Sequence, residues 1–383
     1  MTGNWAFHNP VWILFGAGCV ATAVAALPYR RMLLVTTVGM TRRGAVQALQ
    51  AASNGAIAGI HDGVTPNPEM SVLDELTVRY RHSGFDAIVA LGGGSALDTA
   101  KILGLLLGTP PEFTLQAHFL GRQPVPDAPS VPVIAIPTTA GTGSEVTPFA
   151  TVWDARAVKK YSLAHVRMFP LQAILDPDLT RDLPWDVTLA TGLDALCQAL
   201  ESVWNRHANP LTLGFAMRSA KLAWSALQKG EALMQSPQLR SDMMEASLLA
   251  GLAISHTRTA LCHSMSYPVT ARFGLPHGLA CGFTMPAVLR YNAQSDDGRL
   301  TALARELGCS SVPQMAAVLE SLLGKCKVND RLAAHGLAGA SLEVLVPEMF
   351  HPGRADNNFR PAGEEEIRAI LADAAAYLPA LRH

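Results

Sequence analysis

The sequence predicts an N-terminal α/β domain with a parallel sheet over residues 1–181, followed by an all-α domain over residues 182–383. Three observations carry that prediction. Short apolar runs alternate with amphipathic stretches through the first half, as strands alternate with the helices that cover them. Two of those runs end in turns rich in glycine or hydroxyl groups, at 92–95 and 137–145. After Asp176-Pro177-Asp178 the apolar residues recur at helical spacing with few strand-like runs. A chain of 383 residues has the length for roughly two cores of about 150 residues each.

In order, Arg31–Thr36 reads as a strand and Thr41–Ala52 as a helix. Pro66-Asn67-Pro68 breaks the chain before a helix that ends near Arg81. Phe85–Leu91 is a second buried strand, Ala96–Leu107 a helix and Val131–Ile136 a third strand. The boundary falls in Leu179–Pro184. Beyond it Gly230, Pro237, the Pro268–Pro276 segment and the polar stretch His351–Glu364 interrupt the helices, and no repeat or low-complexity tract occurs.

Composition narrows the function. Hydrophobic residues are 49% and charged residues 16%, far from the signature of disorder. A net charge of -1 gives no whole-molecule attraction to nucleic acid or an anionic membrane, so neither is expected as a partner. The longest near-continuous apolar run, Ile102–Gly108, is far short of the roughly 20 residues of a membrane span. With no basic-then-apolar leader at the N-terminus, a cytoplasmic location is expected. The six cysteines contain no Cys-x-x-Cys, which argues for reduced, buried thiols rather than disulfides or a thiolate zinc site. The apolar composition suits a homodimer.

The turn Leu91-Gly-Gly-Gly-Ser95 lets backbone amides approach an anion at a helix N-terminus, where a pyrophosphate would fit. The GxGxxG spacing is absent, and the same three glycines also make a plain tight turn. Asp98 and Lys101, one and two turns into the helix, read equally well as surface residues. The loop Pro137–Glu145 offers hydroxyls at Thr138, Thr139, Thr142 and Ser144, able to bind phosphate or carboxamide or to cap their own backbone. Two such loops at strand ends of one sheet reinforce each other, because open α/β sheets bind ligands there.

In the second half Asp194 and Gln198 share a face of a helix expected to start after Gly192, His263 and Tyr267 repeat the four-residue spacing, and His277 lies between Pro276 and Gly278. One oxygen ligand and two imidazoles suit a divalent cation such as Fe²⁺ or Zn²⁺. The alternatives are an acid favoured by the helix dipole at Asp194 and merely hydrogen-bonded histidines.

The segments GGGSALDTAK (Gly92–Lys101), PTTAGTGSE (Pro137–Glu145), LDPDLT (Leu175–Thr180), GLDAL (Gly192–Leu196), His263 and Pro276-His277-Gly278 together resemble the iron-containing (group III) alcohol dehydrogenases over nearly the whole length. The resemblance implies the dehydroquinate synthase-like fold, with a nucleotide-binding α/β domain and a helical metal domain. It also implies that Gly93, Gly94, Ser95 and Asp98 hold the dinucleotide, that Thr138, Thr139 and Thr142 close over it, and that Lys160 reaches a ribose. Asp194, Gln198, His263 and His277 are then the metal positions, with Fe²⁺ favoured and Zn²⁺ as alternative.

This chain departs from the family pattern at three places. Gln198 replaces a histidine and offers a weaker amide oxygen. Tyr267 replaces a histidine assigned to proton relay, and a phenol with a pKa of about 10 is a better acid than base at neutral pH, which tilts the site toward carbonyl reduction. Thr37, with Arg42 and Arg43 following, stands where an acid would hold the ribose 2′-OH, so NADPH is admitted beside NADH. The stretches Asp194–Asn205 and Thr257–Pro268 resemble the phosphonoacetaldehyde reductase branch most, and Arg258 is the candidate cation for a phosphonate unless it pairs with Glu201 or reaches the surface. The expected activity is metal-assisted reduction of an aldehyde to a primary alcohol, with His263 and Tyr267 at the reacting centre. Rival readings are another small aldehyde, a dehydroquinate synthase-like lyase, and a non-catalytic nucleotide sensor.

Overall fold

The computed structural model describes residues 4–382. Residues Asn9–Thr139 and Ser144–Asp182 form one compact unit. Its sheet has six parallel strands in the order β1-β8-β5-β4-β2-β3. These are β1 (Trp12–Phe15), β2 (Met32–Val35), β3 (Ile57–His61), β4 (Ala87–Gly92), β5 (Val133–Pro137) and β8 (Gln172–Leu175). β2, β4 and β5 are buried along their whole length, as strands covered on both faces must be, and they are the three read from sequence. β1 and β3 lie at the two ends of the order and are partly exposed, so they lack that continuous apolar signal. A separate antiparallel pair, β6 (Phe149–Asp154) and β7 (Lys159–Ala164), was not expected either.

The helices of this unit are α1 (Val20–Ala25), α2 (Val38–Arg42), α3 (Ala45–Ala52), α4 (Met70–Tyr80), α5 (Gly94–Leu106) and α6 (Leu115–Phe119). The single helix expected over Thr41–Ala52 is two, because Gly44 at φ 78° breaks the turn between α2 and α3. α5 is buried on nearly all sides, including Lys101.

The second unit runs from Leu183 onward and includes the segment through His8 and Ala140–Gly143. It is helical: α7 (Trp185–Val203), α8 (Pro210–Leu227), α9 (Pro237–Thr257), α10 (Leu261–Phe273), α11 (His277–Gly282) and α12 (Met285–Ala293) precede the helices between Arg299 and Tyr377. α7 starts directly after Pro184, well ahead of Gly192. Asp194 therefore sits in the third turn, where a helix dipole does not explain it. Gly278 allows α11 to press on α7: a Cβ there would stand 1.7 Å from the Ala190 carbonyl oxygen. Among the described residues no helix is long and apolar enough to cross a membrane.

Candidate active site

The glycine turn and the hydroxyl loop leave neighbouring strands of the sheet. Gly92 at the end of β4 pairs with Pro137 at the end of β5, and the Thr138 amide donates to the Gly92 carbonyl at 2.9 Å. Gly93 caps α5 without a side chain, and a Cβ added there would lie 3.3 Å from Thr139 Oγ1. Gly94 and Ser95 are the first residues of α5, so their amides belong to the unpaired first turn. This is a cradle that a side chain would fill, and it fits a pyrophosphate.

Asp98 is occupied by the protein itself. It accepts from Ser144 Oγ at 2.5 Å and from the Thr151 amide at 2.8 Å. The surface reading of Lys101 is wrong. At 1% exposure its ammonium donates to the carbonyls of Ser144, Thr147 and Phe149, with Asp98 Oδ1 3.6 Å away. Burial pulls the Lys101 ammonium below its ordinary pKa against the attraction of Asp98 and Glu145. Burial likewise pushes the Glu145 carboxyl up to about 7. Lys160, on β7, holds its ammonium 6.0 Å from the centre of the Trp153 ring. Thr37 precedes α2, and Arg42 and Arg43 are exposed. Its backbone bridges Gly63, next to Asp62, whose carboxylate accepts from Thr41 Oγ1 at 2.8 Å. An acid thus stands at the end of β3, a position missed by looking only at the end of β2.

In the helical unit the three strongest metal candidates converge. His263 Nε2 lies 3.2 Å from Asp194 Oδ1, and the rings of His263 and His277 are 5.4 Å apart, edge to face. Glu201, fully buried one turn beyond Gln198 on α7, receives His263 Nδ1 at 2.7 Å and the amides of Ala260 and His263 at 2.7 and 3.1 Å. With Glu201 accepting from Nδ1–H, Nε2 is the ring nitrogen turned to Asp194, and it is the one that would bind a cation in place of its own proton. The spacing Asp194, Gln198, Glu201 on one helix face is the signal that would have found it. Gln198 Nε2 donates to Asp194 Oδ1 at 3.2 Å and to the Thr142 carbonyl at 3.4 Å, while its Oε1 is buried with no hydrogen-bond partner among the described residues. An orphaned buried oxygen beside a carboxylate and two imidazoles fits a divalent cation.

One cysteine also joins this group. Cys281 Sγ lies 3.6 Å from His277 Nε2, one turn along α11, although the cysteine spacing argued against any thiolate site. Among the described residues the six cysteines are free thiols and five are buried.

Tyr267 lies 6.2 Å from the His277 ring, nearly parallel to it, and 5.3 Å from the His351 ring. Arg354 Nε donates to Tyr267 Oη at 3.2 Å. Arg258 ends α9, and burial followed by the charge of Arg354 lowers its guanidinium pKa. The sequence singles out Arg258 but not Arg354, whose place beside Tyr267 depends on a loop distant in the chain. A carboxylate, an amide, imidazoles and a phenol with two guanidiniums can hold a cation and an anionic carbonyl compound together.

Comparison with known proteins agrees with this chemistry. Residues 10–177 match the family model "Iron-containing alcohol dehydrogenase", and residues 188–375 match "Fe-containing alcohol dehydrogenase family, C-terminal". A phosphonoacetaldehyde reductase of Streptomyces viridochromogenes is 39% identical over 332 residues, 82% of each chain. A sulfoacetaldehyde reductase of Bilophila wadsworthia is 31% identical over 94% of this chain and 96% of its own. The crystal structure of sulfoacetaldehyde reductase from Bifidobacterium kashiwanohense in complex with NAD+ superposes with a TM-score of 0.89 at 31% identity, covering 98% of this chain and 99% of the other. The chain therefore belongs to the iron-containing alcohol dehydrogenase family, and is an oxidoreductase that interconverts an aldehyde and its alcohol with NAD(H) and a metal ion, iron favoured.

Proposed function

We propose that the enzyme reduces phosphonoacetaldehyde to 2-hydroxyethylphosphonate. The observation that carries the reading is the pair of guanidiniums at Arg258 and Arg354, close enough for one charge to weigh on the other, with Arg354 bonded to Tyr267. Guanidiniums recognise a phosphonate dianion by charge and by paired N–H donors, and so answer it better than an uncharged aldehyde. The similarity to the phosphonoacetaldehyde and sulfoacetaldehyde reductases supports an anionic aldehyde.

When bound, the metal ion supplies a Lewis acid to the carbonyl oxygen and the dihydronicotinamide supplies a hydride to the carbonyl carbon. The protein's residues do the rest. Gly93, Gly94, Ser95, Thr138, Thr139 and Lys160 bind the dinucleotide, Thr142 closes beside them, and Asp98 braces the loop that carries Ser144. For the NAD(H) ribose, Asp62 is the acid we infer, and its carboxylate disfavours a 2′-phosphate there. Asp194, Gln198, His263 and His277 hold the cation, and Glu201 fixes the His263 tautomer. The Tyr267 hydroxyl accepts from Arg354, which polarises its own O–H, and it gives the proton that completes the alcohol. We also infer a homodimer, formed through β1.

Arg258→Ala tests the substrate. A buried charge-assisted hydrogen bond to an anion contributes on the order of 1.5 to 3 kcal/mol, so kcat/KM for phosphonoacetaldehyde should fall roughly ten- to 150-fold while propanal is nearly unaffected. Sulfoacetaldehyde and lactaldehyde complete the panel. Equal losses on propanal and phosphonoacetaldehyde, or a wild-type preference for an uncharged aldehyde, would overturn the assignment.

A further inference from the structure

We propose that Cys281 is a metal ligand of this chain, its thiolate supplying the fourth strong donor beside Asp194, His263 and His277 where Gln198 brings only a neutral amide. The inference rests on the metal reading of this site and adds a donor to it. One donor atom from each of these four residues lies within 4.8 Å of the donor atoms of the other three. Cys281 is fully buried and shares the exposed-to-site face of α11 with His277 through the four-residue spacing. About a tetrahedral ion, bonds of about 2.1 Å to nitrogen and 2.3 Å to sulfur place the two donors roughly 3.6 Å apart. The separation of Cys281 Sγ from His277 Nε2 is 3.6 Å.

Gln198 shows why a further donor has work to do. Its Nε2 is turned to Asp194 Oδ1 and the Thr142 carbonyl, so the amide restrains a ligand as a donor, and its unpartnered Oε1 is a weak ligand at most. A thiolate is soft and anionic. It cancels one more unit of the cation's charge and raises affinity for Zn²⁺ and Co²⁺ over harder ions. The neighbouring thiols have no such claim. Cys197 and Cys262 group with Glu201, and that carboxylate is already taken by His263 and the Ala260 amide.

Cobalt reads the donor directly. The full-length chain is stripped with chelator, loaded with Co²⁺ and followed by absorption. Wild type should show visible d–d bands together with a near-ultraviolet thiolate-to-Co²⁺ charge-transfer band. Cys281→Ser should keep the d–d bands, lose the charge-transfer band and bind Zn²⁺ about tenfold or more weaker, while Cys197→Ser and Cys262→Ser retain the band. Wild-type d–d bands without charge transfer, or a band that survives in Cys281→Ser, would overturn the thiolate and leave the metal site standing. A chain that takes up no Co²⁺ would overturn the metal reading and the thiolate with it.

Discussion

Arg258 is held at φ 63° and ψ 176°, a backbone region that only glycine adopts at ease and that costs another residue of order 1–3 kcal/mol. The surroundings enforce it: its amide donates to the Ile254 carbonyl at 2.9 Å, and its carbonyl accepts from Thr257 Oγ1 at 3.0 Å and Asn205 Nδ2 at 3.3 Å. The strained backbone and the guanidinium are separate properties of this residue, the first bearing on stability and the second on the proposed ligand. Glycine at this position separates the two roles. Arg258→Gly should raise the unfolding free energy by about 1 kcal/mol or more as the strain disappears. It should also lose phosphonoacetaldehyde reduction as fully as Arg258→Ala, which keeps the strain. Urea unfolding of both variants checks this, and a destabilised glycine variant would mean that the guanidinium supports the fold. At this scale the sequence is uneven. Asp194, His263 and His277 are legible because helical spacing and a Pro-His-Gly turn mark them. Arg354 is not, since only the folded chain brings it beside Tyr267, whereas Cys281 is marked by its four-residue spacing from His277, a signal that a search for Cys-x-x-Cys passes over.

Between β5 and β6 the loop is tied to α5 by one buried ammonium, Lys101, and by Asp98. Beside them Glu145 has a buried Oε1 with no hydrogen-bond partner among the described residues. Its carboxyl is raised from an ordinary 4.5 to about 7, chiefly by burial. The folded protein therefore holds a proton on Glu145 between pH 4.5 and 7 that the unfolded chain has released, and over that window stability falls as pH rises. Above pH 7 the full cost, on the order of 3 kcal/mol, opposes folding. Glu145→Gln should remove this slope and be the more stable protein at pH 8, while matching wild type near pH 4.5. Thermal unfolding across that range is the measurement, and parallel pH profiles for the two proteins would show that Glu145 is not the titrating group. β2, β4, β5 and α5 are buried on both sides and long enough for the apolar pattern to reveal them, whereas β8 is buried too but its apolar run, Ala173 to Leu175, is too short to stand out. β1, β3 and the β6–β7 pair are short or half exposed, and Gly44 divides a helix that its neighbours' propensities would continue.

Over the whole molecule the change from alternating elements to helices is written in the sequence, whereas the membership of Ala140–Gly143 in the helical unit is not, because the loop's hydroxyl-rich sequence names a ligand and no packing partner. A net charge of -1 likewise hides two arginines gathered at one place. The remaining feature at this scale is the open side of the sheet. β1 stands last in the strand order and exposes Trp12 at 72%, with Ile13 and Phe15 at 37% each. An apolar edge strand is a template for pairing, and a second copy related by a twofold axis presents the same edge in reverse, so two β1 strands can join antiparallel and continue the sheets. Sedimentation of the wild-type chain at micromolar concentration should then give a dimer. Trp12→Glu, which puts a charge into that seam, should give monomers whose bound NAD(H) and metal content per chain are unchanged. A monomeric wild type, or a dimer that tolerates glutamate at position 12, would assign these aromatic residues to some other role than the contact between copies.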